Sequence, residues 1–213
     1  MNTLKKGLMA TFICLGATTA MAQVQLGAFG SYSKGTGENN TDLWGGGAHL
    51  RFFMGKVVAL GGSFKTYPKV SEKFTVGSTE YTRSNLLSNL TGTFDLLLAK
   101  NDRAIQPFIG ADAGFSFASE TITGGSGGSG SANFENKKTY FMISPKAGLN
   151  IGLGKTFGLF GQAQYNYTFG DGNPNTITIP GLTLKSTPVD RYLSFDAGIY
   201  VRLVGAGRAR DRD

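Results

Sequence analysis

Few residues in this 213-residue chain could carry out chemistry. His49 is the only histidine and Cys14 the only cysteine. Histidine-driven hydrolysis needs a nucleophile within hydrogen-bond reach of the base. Ser88, Ser116 and Ser194 show no spacing that would bring one of them to His49. Cys14 falls in a segment read as a cleaved leader, so the mature chain has no thiolate for a metal, a disulfide or nucleophilic attack. Enzyme chemistry, a metal site and a cofactor are therefore not expected. Seven charged residues remain as the candidate site: Arg51, Lys65, Lys146 and Arg202, with Asp95, Asp112 and Asp196. Each stands on the polar side of a segment whose other side is apolar.

Those segments have the period of β-strands. From residue 23 the chain divides into eight alternating stretches, near 23–33, 43–54, 57–67, 85–99, 104–119, 139–153, 156–169 and 190–204. In the last, Leu193, Phe195, Ala197, Ile199, Val201 and Leu203 oppose Tyr192, Ser194, Asp196, Gly198, Tyr200 and Arg202. The connections alternate too. Gly55-Lys56, Lys100–Arg103 and Gly154-Lys155 are tight turns, whereas 34–42, 68–84, 120–138 and 170–189 are longer polar loops. This is the pattern of an all-β, eight-stranded, antiparallel up-and-down transmembrane barrel with turns at one end and surface loops at the other.

The start of the chain sets the compartment. Lys5 and Lys6 precede an apolar run from Gly7 to Gly16, and Ala20-Met21-Ala22 supplies small residues at a cleavage site. Residues 1–22 read as a secretory signal peptide, 23–204 as the barrel and 205–213 as a short polar tail. Thr11-Phe12-Ile13 lacks the small residue that a lipoprotein signal carries before its cysteine, so no lipid anchor is expected at Cys14.

The polar faces are mostly Gly, Ser, Thr, Asn and Gln, which suits a crowded eight-stranded lumen and leaves the apolar faces to lipid. Aromatics near the loop ends (Tyr32, Trp44, Phe64, Tyr67, Phe117, Tyr140, Tyr167, Phe169 and Tyr192) read as an interfacial girdle. An even strand number puts both mature termini on the turn side, in the periplasm of a bacterial outer membrane.

Seven charges in so narrow a lumen must pair. Counting from the turn end puts Arg51, Asp95 and Arg202 low, and Lys65, Asp112, Lys146 and Asp196 near mid-height. They could form a structural plug, or a gate whose pairs exchange partners to open an ion path. His49 falls on the lumen face, low in its strand, where a packed structural histidine is expected.

At this point the chain resembles the small outer-membrane β-barrel family, the OmpA transmembrane-domain and OmpX type. The last strand, Asp196-Ala197-Gly198-Ile199-Tyr200-Val201-Arg202-Leu203, is similar to that family's assembly signal at Asp196, Gly198, Val201 and Leu203. The resemblance implies recognition by the barrel-assembly machinery. Many members end on an aromatic residue at the last strand, whereas this chain continues to Asp213. The tail is also too short for the peptidoglycan-binding domain of full OmpA proteins.

The formal net charge of +7 does not point to nucleic acid. The loops carry eight basic and eight acidic residues; four of the excess charges sit in the turns and tail, one in the lumen and two, Lys5 and Lys6, in the leader, so the basic turns either meet anionic headgroups or simply keep the turns soluble. Partner binding would fall to the loops. In loop 4, Thr176–Lys185 reads as a hairpin around Pro180-Gly181, and loop 2 has a weaker version around Gly77-Ser78. Loop 3 holds a linker-like run, Gly124–Ser131. The expected role is a monomeric structural barrel supporting the envelope. The alternatives are a protein-binding barrel acting through loops 2 and 4, or a narrow porin-like channel.

Overall fold

A computed structural model describes residues 23–36, 42–76, 79–100, 103–125, 132–154, 156–170, 175–179, 182–186 and 191–203. The strands are β1 (Gln23–Gly35), β2 (Asp42–Met54), β3 (Val58–Val76), β4 (Thr79–Leu97), β5 (Ile105–Gly125), β6 (Ala132–Gly152), β7 (Phe157–Phe169), β8 (Asn175–Ile179), β9 (Leu182–Ser186) and β10 (Arg191–Leu203). Eight of them close into a barrel in the order β1-β10-β7-β6-β5-β4-β3-β2, and β8 and β9 form a separate two-stranded sheet. All barrel pairs are antiparallel.

The registers define the barrel's shape. A walk perpendicular to the strands runs Ile151–Leu159–Ile199–Ala28–Ala48–Phe64–Leu90–Phe115–Phe141. It leaves β6 at Ile151 and returns to it at Phe141, ten residues further from the turn end. Eight strands with that stagger tilt by about 40° and leave an interior that side chains alone can fill. Every residue on the walk is apolar, so it also traces the outer belt.

Alternation sorts the faces. In β10, Tyr192, Ser194, Asp196, Tyr200 and Arg202 are buried, while Phe195 and Ile199 are 49% and 59% exposed. Inward glycines make room for large lumen groups. A Cβ on Gly110 would lie 2.3 Å from Asp95 Oδ1, and one on Gly158 would lie 2.2 Å from the Tyr200 ring. Gly55, at φ +72°, forms the left-handed corner of the first tight turn.

The strands differ from the sequence expectation on one side. Segments 68–84 and 120–138 are mostly strand rather than loop, because β3 runs to Val76, β4 starts at Thr79, β5 runs to Gly125 and β6 starts at Ala132. Main-chain ladders need no buried apolar side, so they continue above the belt, from Val70↔Asn85 to Val76↔Thr79 and from Thr139↔Phe117 to Ala132↔Gly124. A register shift between Tyr67 and Val70, at Pro68, marks where β3 leaves the barrel wall. The rim is therefore stepped: β1, β2, β7 and β10 have 13 residues each, β3 and β4 have 19, and β5 and β6 have 21.

The girdle also needs correcting. Tyr67, Tyr140 and Tyr192 are buried, not exposed at the interface. Each occupies an inward position of its alternation, and proximity to the rim in sequence does not reveal facing. Trp44, Phe64, Phe117, Tyr167 and Phe169 do stand outside. The proposed leader, the tail from 204 and loop-3 residues 126–131 lie outside the described residues.

Candidate functional site

The candidate charges can be followed upward from the turn end. There, Phe53, Ala59, Leu97 and Phe108 form a buried apolar layer. Arg202 joins it, donating to Gln25 Oε1 (3.1 Å) and Gln106 Oε1 (3.0 Å). Its guanidinium carbon lies 4.8 Å from the centre of the Phe53 ring and 5.3 Å from that of Tyr200.

The other six charges form one web. Arg51 Nε lies 2.9 Å from Asp95 Oδ2, and Asp95 Oδ1 lies 2.9 Å from Lys146 Nζ. Lys146 also reaches Asp112 Oδ1 at 2.6 Å and bonds to the Thr93 hydroxyl. Lys65 Nζ lies 2.9 Å from Asp196, which also accepts from Ser31 Oγ (2.6 Å). Asp95 thus ties the low and mid-height groups together, where sequence counting separates them into two layers. Arg202 sits below the web, between two glutamines.

Two residues that the sequence reading missed link these pairs. Gln162 accepts from Arg51 Nη2 (3.0 Å) and donates to Asp196 (2.9 Å). Gln164 accepts from Lys65 (2.8 Å) and donates to Asp112 (2.9 Å). An amide can donate and accept at once, so it connects a cation to a carboxylate that the cation does not reach. The signal was available in Gln162-Ala163-Gln164-Tyr165-Asn166, whose polar members share one face. The Lys65–Gln164 bond joins β3 to β7, strands diametrically opposite in the barrel, so the web crosses the full lumen.

A polar lid follows. Tyr67 OH is 2.5 Å from Ser33 Oγ, and Asn89 Nδ2 donates to Tyr192 OH (2.8 Å). Asn166 accepts from Ser144 (2.7 Å) and donates to Ser194 (2.8 Å). Higher still, Arg83 Nε lies 2.6 Å from Glu120, whose side chain is 9% exposed. Both residues fall in segments that read as loops in the sequence, 68–84 and 120–138, yet both are on strands.

His49 is buried between Phe29 and Phe160, with Gln25 Nε2 3.3 Å from its Nε2. The candidate nucleophiles are elsewhere: Ser88 bonds to Thr66 (2.9 Å), and Ser194 sits in the lid. Among the described residues, no group of three His, Cys, Asp or Glu side chains could hold a metal.

Outside, the belt is apolar over its full height. Leu26, Leu60, Leu90, Phe94, Ile109, Phe115, Phe141 and Phe195 are each at least 40% exposed. Trp44, 71% exposed, packs on Tyr32 with ring centres 4.8 Å apart, near the rim. In water this continuous apolar surface would drive aggregation; in a bilayer it is the expected surface.

A closed antiparallel eight-stranded barrel with a polar, bonded interior and an apolar exterior has the fold of the small outer-membrane β-barrels. Solved structures agree. The outer-membrane protein OprG from Pseudomonas aeruginosa superimposes with a TM-score of 0.54 at 8% identity, covering 86% of this chain and 97% of that one. Ail, the attachment invasion locus protein of Yersinia pestis, gives 0.50 at 11% identity, covering 85% and 97%. The likeness is one of fold. No protein-family model matches the chain, and no curated protein matches it.

Proposed function

We propose that this protein is an integral protein of the bacterial outer membrane, a monomeric barrel that supports the envelope and whose lumen is a plug. The observation carrying this reading is the web of bonds from β3 to β7, closed below by the apolar layer around Phe108 and above by Tyr67 and Tyr192. Eight strands leave no room beside such a web for a stream of water. Both mature termini face the periplasm, outer-membrane lipid covers the belt, and the assembly machinery reads Asp196, Gly198, Val201 and Leu203. Membrane fractionation with heat-modifiable gel mobility tests residence: the protein is expected in the outer membrane, and unboiled samples should migrate faster than boiled ones. Planar-bilayer recording tests the plug. Steady single-channel current from wild-type barrels would replace it with the porin-like reading.

A second reading is surface binding. Its support is the stepped rim, since β3–β6 project past their neighbours. Loops 2 and 4 remain the candidate contact points, with an extracellular protein as partner.

A further inference from the structure

The tall half of the rim ends in an open strand edge. β6 pairs with β7 only from Phe141↔Phe169 onward, so Ala132–Tyr140 has a strand neighbour on its β5 side alone among the described strands. That is roughly 30 Å of strand edge. Main-chain direction follows from the turn end, where Gly152 N–H donates to Ala104 O on the β5 side and Leu153 N–H to Phe157 O on the β7 side. The β6 ladder runs without a register shift, so its odd residues point toward β7. Beyond Phe141, the N–H and C=O groups of Asn133, Glu135, Lys137 and Thr139 therefore face the open edge.

The opposite edge is blunted. On β3 the outer end begins at Pro68 and a register shift, both of which oppose strand addition. Residues 132–140 of β6, by contrast, hold no proline and no register shift. Its outer end instead carries a self-complementary charge pattern centred on Asn136: Glu135 and Lys137 are exposed on the same face and paired to each other at 2.8 Å.

The geometry points to a second copy of this chain, carried on an opposing membrane, as the occupant of this edge. Two copies of β6 can extend one sheet only through a two-fold axis perpendicular to it, which makes the strands antiparallel and turns the second barrel upside down. With the axis through Asn136, Glu135 opposes the second copy's Lys137 and Asn133 opposes its Thr139. These are edge-facing residues on both sides, so they exchange about eight main-chain bonds. Moving the axis by one residue sets Glu135 against Glu135, or Lys137 against Lys137, and like charges directly opposite destabilise a ladder. Charge therefore selects one register. Each contact is weak, because exposed ion pairs contribute little, but many copies on facing membranes act together. This inference rests on the proposed outer-membrane orientation, with β3–β6 projecting outward.

The test uses the full barrel reconstituted in phosphatidylcholine vesicles. Heat-modifiable mobility establishes folding. Labelling of Asn136→Cys, in a chain with Cys14→Ser, by a membrane-impermeant maleimide establishes orientation; failure here rejects the orientation and not the pairing. Wild-type vesicles are expected to aggregate. Glu135→Lys or Lys137→Glu vesicles should aggregate at least about tenfold more slowly, since every contact then opposes like charges. Mixing the two variants restores opposite charges at every contact between unlike vesicles and should restore aggregation. Asn136→Cys should form a disulfide-linked dimer between vesicles under oxidation, because the central pair is close enough to bridge. Wild-type vesicles that stay dispersed, single variants that aggregate normally, a mixture that does not recover, or an edge that captures only a different protein would each overturn the inference.

Discussion

Asp196→Asn is the sharpest probe of the lumen. The Asp196 side chain is fully buried, accepts from Ser31 and Gln162, and is the carboxylate that Lys65 touches. The amide keeps the shape but removes the charge, and it turns an N–H pair toward groups that donate. Lys65 is then a buried ammonium with no carboxylate, left with neutral acceptors alone: Gln164, Ser194 and one amide oxygen. Removing one partner of a buried pair costs about 3–5 kcal/mol. With urea slopes of about 1–3 kcal/mol per molar, the unfolding midpoint should fall by roughly 1–5 M. Trp44, the only tryptophan, reports unfolding by fluorescence, and heat-modifiable mobility gives an independent reading. Adding Lys65→Met removes the stranded charge and should recover more than half of the loss. Asp112→Asn should cost less, since Lys146 keeps Asp95. A midpoint shift below about 0.3 M in Asp196→Asn would refute the pairing argument, as would a double variant no better than the single one.

Three further outcomes are expected. Gly110→Ala should destabilise the folded barrel by about 1–3 kcal/mol, since its Cβ would lie 2.4 Å from Phe94 O, whereas Gly30→Ala, with nothing within 4 Å, should be neutral; urea titration compares them. Trp44 fluorescence in vesicles should be quenched more by lipids brominated near the headgroup than by those brominated at the chain end, as its place near the rim requires. Deleting 175–186 should leave heat-modifiable mobility unchanged, because β8 and β9 pair with each other and not with a barrel strand.

How much was legible without coordinates follows from how local each signal is. Period-2 alternation is a property of a few neighbouring residues, so eight strands, their two faces and the lumen position of all seven charges could be read from the chain. Strand length could not. The projecting ends of β3–β6 lose the apolar side that makes a strand visible, and they persist through main-chain pairing with segments far away in sequence. For Tyr67, Tyr140 and Tyr192 the period, and not nearness to a loop, carries the facing, and it puts them inside.

A barrel with a polar inside and an apolar outside is legible in the residues alone, because alternation separates two faces and the polar one is small-residue and sparingly charged, as a crowded lumen requires. Which charge meets which depends on closure, because a ten-residue stagger brings β3 opposite β7 at a height that no single strand records. That closure put Gln162 and Gln164 between the ion pairs and, among the described strands, gave β6 a β7 neighbour only from Phe141 onward.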